Sequence, residues 1–565
     1  MADEKFTREY GYHLVDEVLA GRMTRRQLLV RASVFGLSAT AIGSLLAACG
    51  GGGGGGTTAS PSASGSAAMP APVMGGTLKA QIPPETAGFD PLTIFDQGGI
   101  VLVFQFCEYL LTLDDTNALK PQLALEWTPN SDGTVWTFKL RQGVKFNNGQ
   151  PFEAADVVAT FDRALNPKGA SGALASLGGI LKQGGTVATD TYTVTFNLEK
   201  PFADFPYLVC SSAYNTAILP RNYKGDIVKE PIGTGPFMLK PNSYVPKQRA
   251  SFVKNPYYWG KDAQGNQLPY LDGIDFVMIQ DEAAANAQLQ AGAIDVEPQT
   301  VYQGAQALFV DPNLRVDSYP GTGIREVAFN ITKDPWQKKE LRQAVAYCLD
   351  RKAINDTLYN GRANLGYDTF WEPTVFPGSP TPPERAQDYN KAKQLLAAGG
   401  MPNGFTATLT TSKYLENPQL VQLIQQQCKP AGITVTPDIM SSTAYYAGAN
   451  DVTPWLNYPW TITEWGSRPT PGVYVQAMLL PNSTWNTSHW NNPQFVSAFD
   501  SYQGTVDTAA RTKYATQASQ IQQDDTPIIV PYYITQFRTQ RKNVYGIKGP
   551  GSFFFFCDEA FKTAS

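Results

Sequence analysis

The chain has 565 residues, and its 45 lysines and arginines are nearly balanced by 49 aspartates and glutamates. A chain of this length exceeds a single hydrophobic core, so two or three lobes are expected. The net charge of −4 argues against the basic surface of a nucleic-acid-binding protein.

The first 48 residues have the pattern of an export signal. Arg25 and Arg26 precede the uncharged stretch 32–48, which is rich in alanine, glycine and serine. The arginine pair resembles a twin-arginine motif. The letters LAAC, ending at Cys49, resemble a lipobox, so Cys49 is the predicted site of lipid attachment. An uncleaved membrane anchor is the alternative, because the stretch approaches the spanning length of about 20 residues.

Residues 49–75 consist almost entirely of glycine, serine, alanine, threonine and proline. Such a composition cannot bury enough apolar surface to fold, so it predicts a flexible tether. No later stretch is long and apolar enough to cross a bilayer. We therefore expect an extracytoplasmic body, lipid-anchored at the outer face of a bacterial cell membrane or periplasmic.

The body shows alternating strand and helix patterns in chain order. The predicted strands are 136–146, 191–200, 276–280, 293–296, 324–330, 433–437, 455–465 and, as the last, 528–534. The predicted helices are 153–165, 281–291, 336–354, 420–431, 493–502 and 510–524. Gly292 and Gly432 stand where helices should end. These patterns predict a mixed α/β protein with a β-richer first part.

The chain lacks the residues of common catalytic and metal sites. Only His13 and His489 occur, which is too few for a multi-histidine metal site, and no phosphate-binding glycine loop or serine-hydrolase elbow is present. The adjacent acids 114–115 and 524–525 favour solvated turns over a hydrolase pair. Cys107, Cys348 and Cys428 lie in apolar patterns typical of a core. We therefore expect neither an enzyme nor a cofactor.

Six segments carry a resemblance to family 5 of the extracellular solute-binding proteins, the peptide-, nickel- and opine-type binding subunits of ABC importers. They are PQLALEWTPNSDGTVWTFKLRQGVKFNNGQPFEAADVVATF (121–161), PIGTGPFMLK (231–240), NPYYWG (255–260), LPYLDGIDFVMIQD (268–281), LRQAVAYCLDRKAI (341–354) and HWNNPQF (489–495). The resemblance implies a two-lobed periplasmic-binding-protein-like fold that closes on a ligand between its lobes.

The resemblance also implies domain boundaries. Lobe I would comprise residues 76–325 plus 526–565, with an extra subdomain at 113–224, and lobe II residues 326–525. The predicted strands 324–330 and 528–534 would then cross between the lobes. Short crossing strands suit a hinge, because a few residues can absorb a large rotation.

Peptide-binding relatives carry a Trp-x-x-Asp motif whose carboxylate receives the peptide's α-amino group. Trp465 matches this motif, but Arg468 stands where the acid is expected. An arginine suits a carboxylate or phosphate, or it pairs with a protein acid at the cleft rim. Glu464 is adjacent and could receive an amine, although neighbouring strand residues point to opposite faces.

Aromatic residues are the second indication of a ligand cleft, since rings stack on peptide or sugar faces. Tyr445 and Trp460 are such candidates for ligand contact, or otherwise for the core, and Asn330 is a further candidate at the end of a predicted strand. The resemblance places the segments of Trp465, Tyr532 and Tyr533 at the cleft.

The predicted function is the substrate-binding subunit of an ABC importer, a monomer that captures an oligopeptide and delivers it to a permease and, through it, to ATPase subunits. An oligosaccharide or an anionic opine-like ligand is the alternative, as is a ligand-sensing lipoprotein of the same fold.

Overall fold

The computed structural model describes residues 69–564 apart from residues 87, 447–452 and 552. The export and lipidation predictions for Arg25, Arg26 and Cys49, and most of the predicted tether, lie outside the described residues. Within the described part of the chain, no helix is long and apolar enough to cross a membrane.

One twelve-stranded sheet runs through the molecule. Ten of its strands follow one another in the spatial order Ile433–Met440, Phe405–Ser412, Trp460–Trp465, Leu314–Phe329, Tyr532–Arg541, Val296–Glu297, Thr77–Ile82, Gly273–Met278, Arg249–Lys254 and Phe237–Leu239. The other two are Asn364–Leu365, which pairs with Tyr532–Arg541, and Ile528–Ile529, which pairs with Leu314–Phe329.

Smaller sheets lie beside the large one. A four-stranded antiparallel sheet has the order Ala124–Pro129, Val135–Leu140, Thr193–Asn197 and Thr186–Asp190. Three two-stranded sheets are formed by Leu111–Leu113 with Leu119–Pro121, Val544–Tyr545 with Phe561–Lys562, and Lys548–Gly551 with Phe554–Phe556.

Helices cover both the early and the late parts of the chain. The α-helices are Gln97–Phe106, Ala154–Ala164, Ala173–Leu177, Glu282–Gln290, Lys339–Cys348, Arg351–Tyr359, Tyr389–Ala398, Asn417–Cys428, Ser442–Tyr446, Pro471–Met478, Pro493–Gly504 and Thr508–Asp525. The mixed α/β prediction is therefore confirmed. The predicted single helix 336–354 is wrong, because the first helix ends at Cys348, after which Leu349 is extended. Asp350 then caps a second helix by accepting a hydrogen bond from Ala353 N at 2.9 Å.

Three predicted strands have different limits in the structure. The strand predicted at 136–146 ends at Leu140, before a turn in which Gly143 has a φ of +78°. The strand predicted at 455–465 begins only at Trp460, because Pro454–Leu456 forms a 3₁₀ turn. The strand predicted at 528–534 breaks before Tyr532, where Pro531 has no N–H to donate, and then continues to Arg541. Four further strands follow it.

The three largest clusters of buried apolar side chains fall into two groups. One cluster draws on residues 78–296 and 544–560, and we call this part the first lobe. Two further clusters draw on residues 324–533 and cover the two faces of the sheet, and we call this part the second lobe. The boundaries at 325/326 and 525/526, and the extra subdomain at 113–224, stay predictions.

Two antiparallel strands, Leu314–Phe329 and Tyr532–Arg541, connect the lobes, and we call them the crossing strands. They pair from Leu314 opposite Arg541 to Ile324 opposite Tyr533. The second half of Leu314–Phe329 also pairs with Trp460–Trp465 on its other edge. The register shifts between Tyr319 and Gly323, so the ladder carries an irregularity between the lobes.

All five cysteines in the described part of the chain are buried and free. The core prediction for Cys107, Cys348 and Cys428 is confirmed.

Gly321→Ala is expected to destabilise the protein, because a Cβ at this position would lie 1.9 Å from the carbonyl oxygen of Ile534 on the partner strand. We expect the free energy of unfolding in urea to fall by about 1–3 kcal/mol. Gly304→Ala is the matched control, since its Cβ would meet only Glu282 Oε2 at 4.0 Å. Equal effects of the two substitutions would contradict the close approach.

Candidate functional site

A cavity of about 500 Å³ lies between the two lobes beside the crossing strands, and we call it the large chamber. The first lobe contributes lining residues that include Tyr207, Tyr214, Asn215, Phe553 and Phe554. The second lobe contributes Ser467, Arg468, Val473, Gln476 and Trp485, among others, and the crossing strands contribute Pro320, Gly321, Thr322 and Gln536. A ligand in this space would contact both lobes and the hinge between them.

Aromatic rings form much of the first-lobe wall. Phe553 packs against Phe554 at a centroid distance of 4.4 Å and edge-to-face against Tyr214 at 5.9 Å. Trp485 faces the cavity from the second lobe. Rings in a concave site bury area and offer faces for stacking. None of these four was predicted, although the run of four phenylalanines at 553–556 is visible in the sequence.

Arg468 lines the large chamber and is 4% exposed. The hydroxyl of Thr322, on a crossing strand, accepts a hydrogen bond from Arg468 N at 2.9 Å and donates one to Arg468 O at 2.8 Å. Arg468 Nη1 donates to Ser467 O at 3.1 Å. The backbone of Arg468 is therefore fixed directly to a crossing strand.

The positive charge of Arg468 reaches groups around the cavity. Its guanidinium carbon lies 5.8 Å from the ring centroid of Trp465 and 5.9 Å from that of Tyr474. Burial raises the pKa of Tyr214 to about 12, and the charge of Arg468 partly opposes this rise. Because Tyr214 belongs to the first lobe, the field of Arg468 extends across the cavity.

Trp465 lies behind the cavity wall and supports it. Its ring packs edge-to-face against Trp485 at a centroid distance of 6.0 Å. Its Nε1 donates to Glu326 Oε2 at 2.8 Å, and Thr487 Oγ1 donates to Glu326 Oε1 at 2.7 Å. Burial raises the pKa of Glu326 to about 7, and these two hydrogen bonds oppose the rise.

Glu464 points to the opposite face of its strand from Trp465. Its carboxylate accepts hydrogen bonds from Asn417 Nδ2 at 2.7 Å and from the hydroxyls of Ser412 and Tyr446. The side chain is 2% exposed. These donors already occupy both carboxylate oxygens, so the arrangement supports a structural role.

The remaining predicted residues occupy packed positions. Tyr445 hydrogen-bonds to Thr463 Oγ1 at 2.8 Å, and Trp460 packs 5.0 Å from Trp336 in a hydrophobic cluster. Tyr532 donates to Glu416 Oε1 at 3.0 Å.

Two more predicted residues lie at the ends of the crossing strands. Tyr533 donates to Thr369 O at 2.8 Å, and Asn330 Oδ1 accepts from Thr332 Oγ1 at 2.6 Å. Of the eight residues predicted to contact ligand, the structure brings Arg468 to the lining of the large chamber. Ligand-contact roles for all eight stay predictions.

Residues 118–487 match the family described as bacterial extracellular solute-binding proteins, family 5 middle. The glutathione-binding protein GsiB of Salmonella paratyphi A is 28% identical over 463 residues, which cover 78% of this chain and 85% of that protein.

Solved structures share the fold. HbpA2 from Haemophilus parasuis is 24% identical with a TM-score of 0.75, and the match covers 86% of this chain and 100% of that one. The oligopeptide-binding protein AppA from Bacillus subtilis, in complex with a nonapeptide, is 23% identical with a TM-score of 0.61, covering 87% of this chain and 100% of that one. The predicted two-lobed, periplasmic-binding-protein-like fold is confirmed.

Glu326→Gln is expected to weaken the pH dependence of stability. In the unfolded chain the pKa of the Glu326 carboxyl is near its ordinary value of 4.5, whereas in the folded protein burial raises this pKa to about 7. The free energy of unfolding therefore falls as the pH rises between these values. Between pH 5 and pH 8 we expect the native protein to lose about 2–3 kcal/mol more than the variant, measured by urea unfolding. Parallel pH profiles would contradict this assignment.

Proposed function

Because the chain belongs to family 5 of the bacterial extracellular solute-binding proteins, we propose that it is the substrate-binding subunit of an ABC importer for a peptide-type ligand. The observation that carries the proposal is the large chamber, whose lining comes from both lobes and from the crossing strands. A ligand that bridges both lobes favours the closed arrangement by its higher affinity for that state. Closure would then present the loaded protein to a permease and its ATPase subunits.

The chemistry of the chamber supports a peptide with an exposed carboxylate. Its aromatic wall at Tyr214, Phe553, Phe554 and Trp485 can pack against peptide side chains or backbone. Arg468 provides a planar set of donors that matches a carboxylate. The curated relative GsiB is named for glutathione, itself a small peptide, and AppA holds a nonapeptide. The names of these two proteins support a peptide-type ligand for this chain.

The residues around Arg468 prepare it for this role. Tyr474 donates its hydroxyl proton toward Thr322 O at 2.5 Å and Gly466 O at 2.8 Å, so the loop after Trp465 is tied to the crossing strand. A loop fixed before binding loses little further conformational freedom when a ligand arrives. The relatives are binding proteins, and the chamber accordingly serves capture and release without chemical change.

We further propose that the protein acts outside the cytoplasm as a lipid-anchored monomer. Arg25 and Arg26 would direct export, Cys49 would carry the lipid, and residues 49–75 would let the body reach its permease.

Arg468→Gln is expected to weaken the binding of trialanine and of glutathione, measured by calorimetry with the full-length protein. Loss of a charged hydrogen-bond partner costs about 1.5–3 kcal/mol, which corresponds to a roughly 10- to 150-fold higher Kd. Trialanine amide, which lacks the terminal carboxylate, should bind the native protein and the variant equally.

Arg249→Gln is the matched control, since it removes the same charge from an exposed strand position. An unchanged Kd for trialanine in Arg468→Gln would contradict the proposed contact between Arg468 and the peptide carboxylate. Binding of a neutral oligosaccharide instead of either peptide would overturn the peptide proposal.

Cys49→Ser is expected to move the protein from the membrane fraction to the soluble fraction of cells, because a serine hydroxyl does not receive the lipid. Detergent phase partitioning of the native protein and the variant measures the change. Retention of the variant in the membrane fraction would indicate an uncleaved anchor.

A further inference from the structure

A second cavity of about 210 Å³ adjoins the large chamber, and we call it the small chamber. Tyr207 and Pro469 line both cavities. The first lobe contributes Trp136 and Asp204 to the small chamber, and the second lobe contributes most of the remaining wall. Like the large chamber, it therefore lies between parts that move relative to each other when the lobes open.

Asp204 is the carboxylate of the small chamber, and it is 2% exposed. Its Oδ1 accepts a hydrogen bond from Arg511 Nη2, which belongs to the second lobe. Its Oδ2 is buried and has no hydrogen-bond partner within the described ranges. A Cβ on Gly472 would lie 3.3 Å from this oxygen, so the glycine leaves the space beside it open.

Other buried polar groups around the small chamber are also without partners in the described part of the chain. These are Trp136 Nε1, Thr470 Oγ1 and both amide atoms of Gln503, in residues that are 5%, 3% and 7% exposed. Gln503 adjoins Asp204 at Gly472, where its Nε2 would lie 2.6 Å from an added Cβ. Buried polar groups in native proteins are almost always satisfied, so this concentration indicates a site that is filled from outside the chain.

The open oxygen of Asp204 selects a hydrogen-bond donor and disfavours an anion. Arg511 also lines the small chamber, and its guanidinium carbon lies 4.2 Å from the ring centroid of Tyr502. The other rings around the space are those of Trp136, Tyr207, Trp371 and Phe376. Ring faces attract cations, and a carboxylate oxygen forms its strongest hydrogen bonds with charged donors. An ammonium group is attracted by ring faces and donates charged hydrogen bonds to a carboxylate. A neutral hydroxyl donates only a weaker hydrogen bond.

The two chambers adjoin each other, because Tyr207 and Pro469 line both of them. Arg468 lines the large chamber and Asp204 the small one. A single ligand that carries an acid and an ammonium group would therefore extend from one chamber into the other.

We propose that the small chamber is the ammonium subsite for a zwitterionic peptide, with Asp204 Oδ2 as the acceptor and Arg468 holding the carboxylate end. This inference rests on the proposed peptide-binding function. In this arrangement Asp204 in the first lobe receives the ammonium group of the ligand. Arg468 in the second lobe, which stands where relatives have an acid, binds the carboxylate. Each end of the ligand would then contact a different lobe, so only a ligand of matching length favours closure.

The test compares trialanine with N-acetyl-trialanine by calorimetry on the full-length protein. Acetylation removes the ammonium and leaves the carboxylate, so the native protein should bind the acetylated peptide at least about tenfold more weakly. In Asp204→Asn, the Kd for trialanine should rise and the ratio of the two Kd values should fall to near one.

Arg511→Gln separates ligand binding from lobe contact. This variant breaks the same ion pair but keeps the carboxylate, so the Kd ratio should remain at least tenfold even if both affinities fall. A ratio near one in the native protein, or a ratio unchanged in Asp204→Asn, would overturn the ammonium subsite while leaving peptide binding intact. If the native protein binds neither trialanine nor glutathione, the peptide function and this subsite are both overturned.

Discussion

The antiparallel pairing of the crossing strands is the constraint on which the rest of the molecule depends. Leu314–Phe329 and Tyr532–Arg541 belong to one ladder, and their residues enter both core clusters of the second lobe. Tyr532–Arg541 also pairs with the first-lobe strand Val296–Glu297. On the second-lobe side, Arg325 Nε lies 3.0 Å from Glu416 Oε1 in a fully buried ion pair. Removing either partner would leave a buried charge uncompensated, which strongly destabilises a protein, so this pair supports the observed pairing of the strands at the second-lobe end.

The ladder of the crossing strands also forms part of the wall of the large chamber. The irregular stretch between Tyr319 and Gly323 faces the large chamber, and Thr322 within it holds the backbone of Arg468. A movement of this crossing strand would therefore be passed directly to Arg468, the charged residue in the lining of the large chamber. This direct connection gives a physical route by which ligand contact and lobe movement influence each other.

Contacts between the lobes at the cavity rim include polar pairs as well as the packing of Val506 against the first-lobe core. Ala203 N donates to Gln503 O at 2.7 Å, and Asp204 pairs with Arg511. The Asp204–Arg511 pair is largely buried, but water reaches both groups when the lobes separate, which limits the net free energy of the contact. Such a rim lets the cleft open at low cost, and the free energy that favours closure can then come from the ligand itself.

The sequence by itself determined the mixed α/β class, the family resemblance and the helix ends at Gly292 and Gly432, because these depend on local periodicity and backbone conformation. The tertiary structure decided which side chains meet in the cavity. Strand alternation places Trp460 and Trp465 on opposite faces, but only the packing of distant segments makes one face a core and brings Phe553 to a wall. Arg468 could be found early because it replaces an expected acid, whereas Asp204 had no local signal: its setting is created by Arg511, 307 residues away.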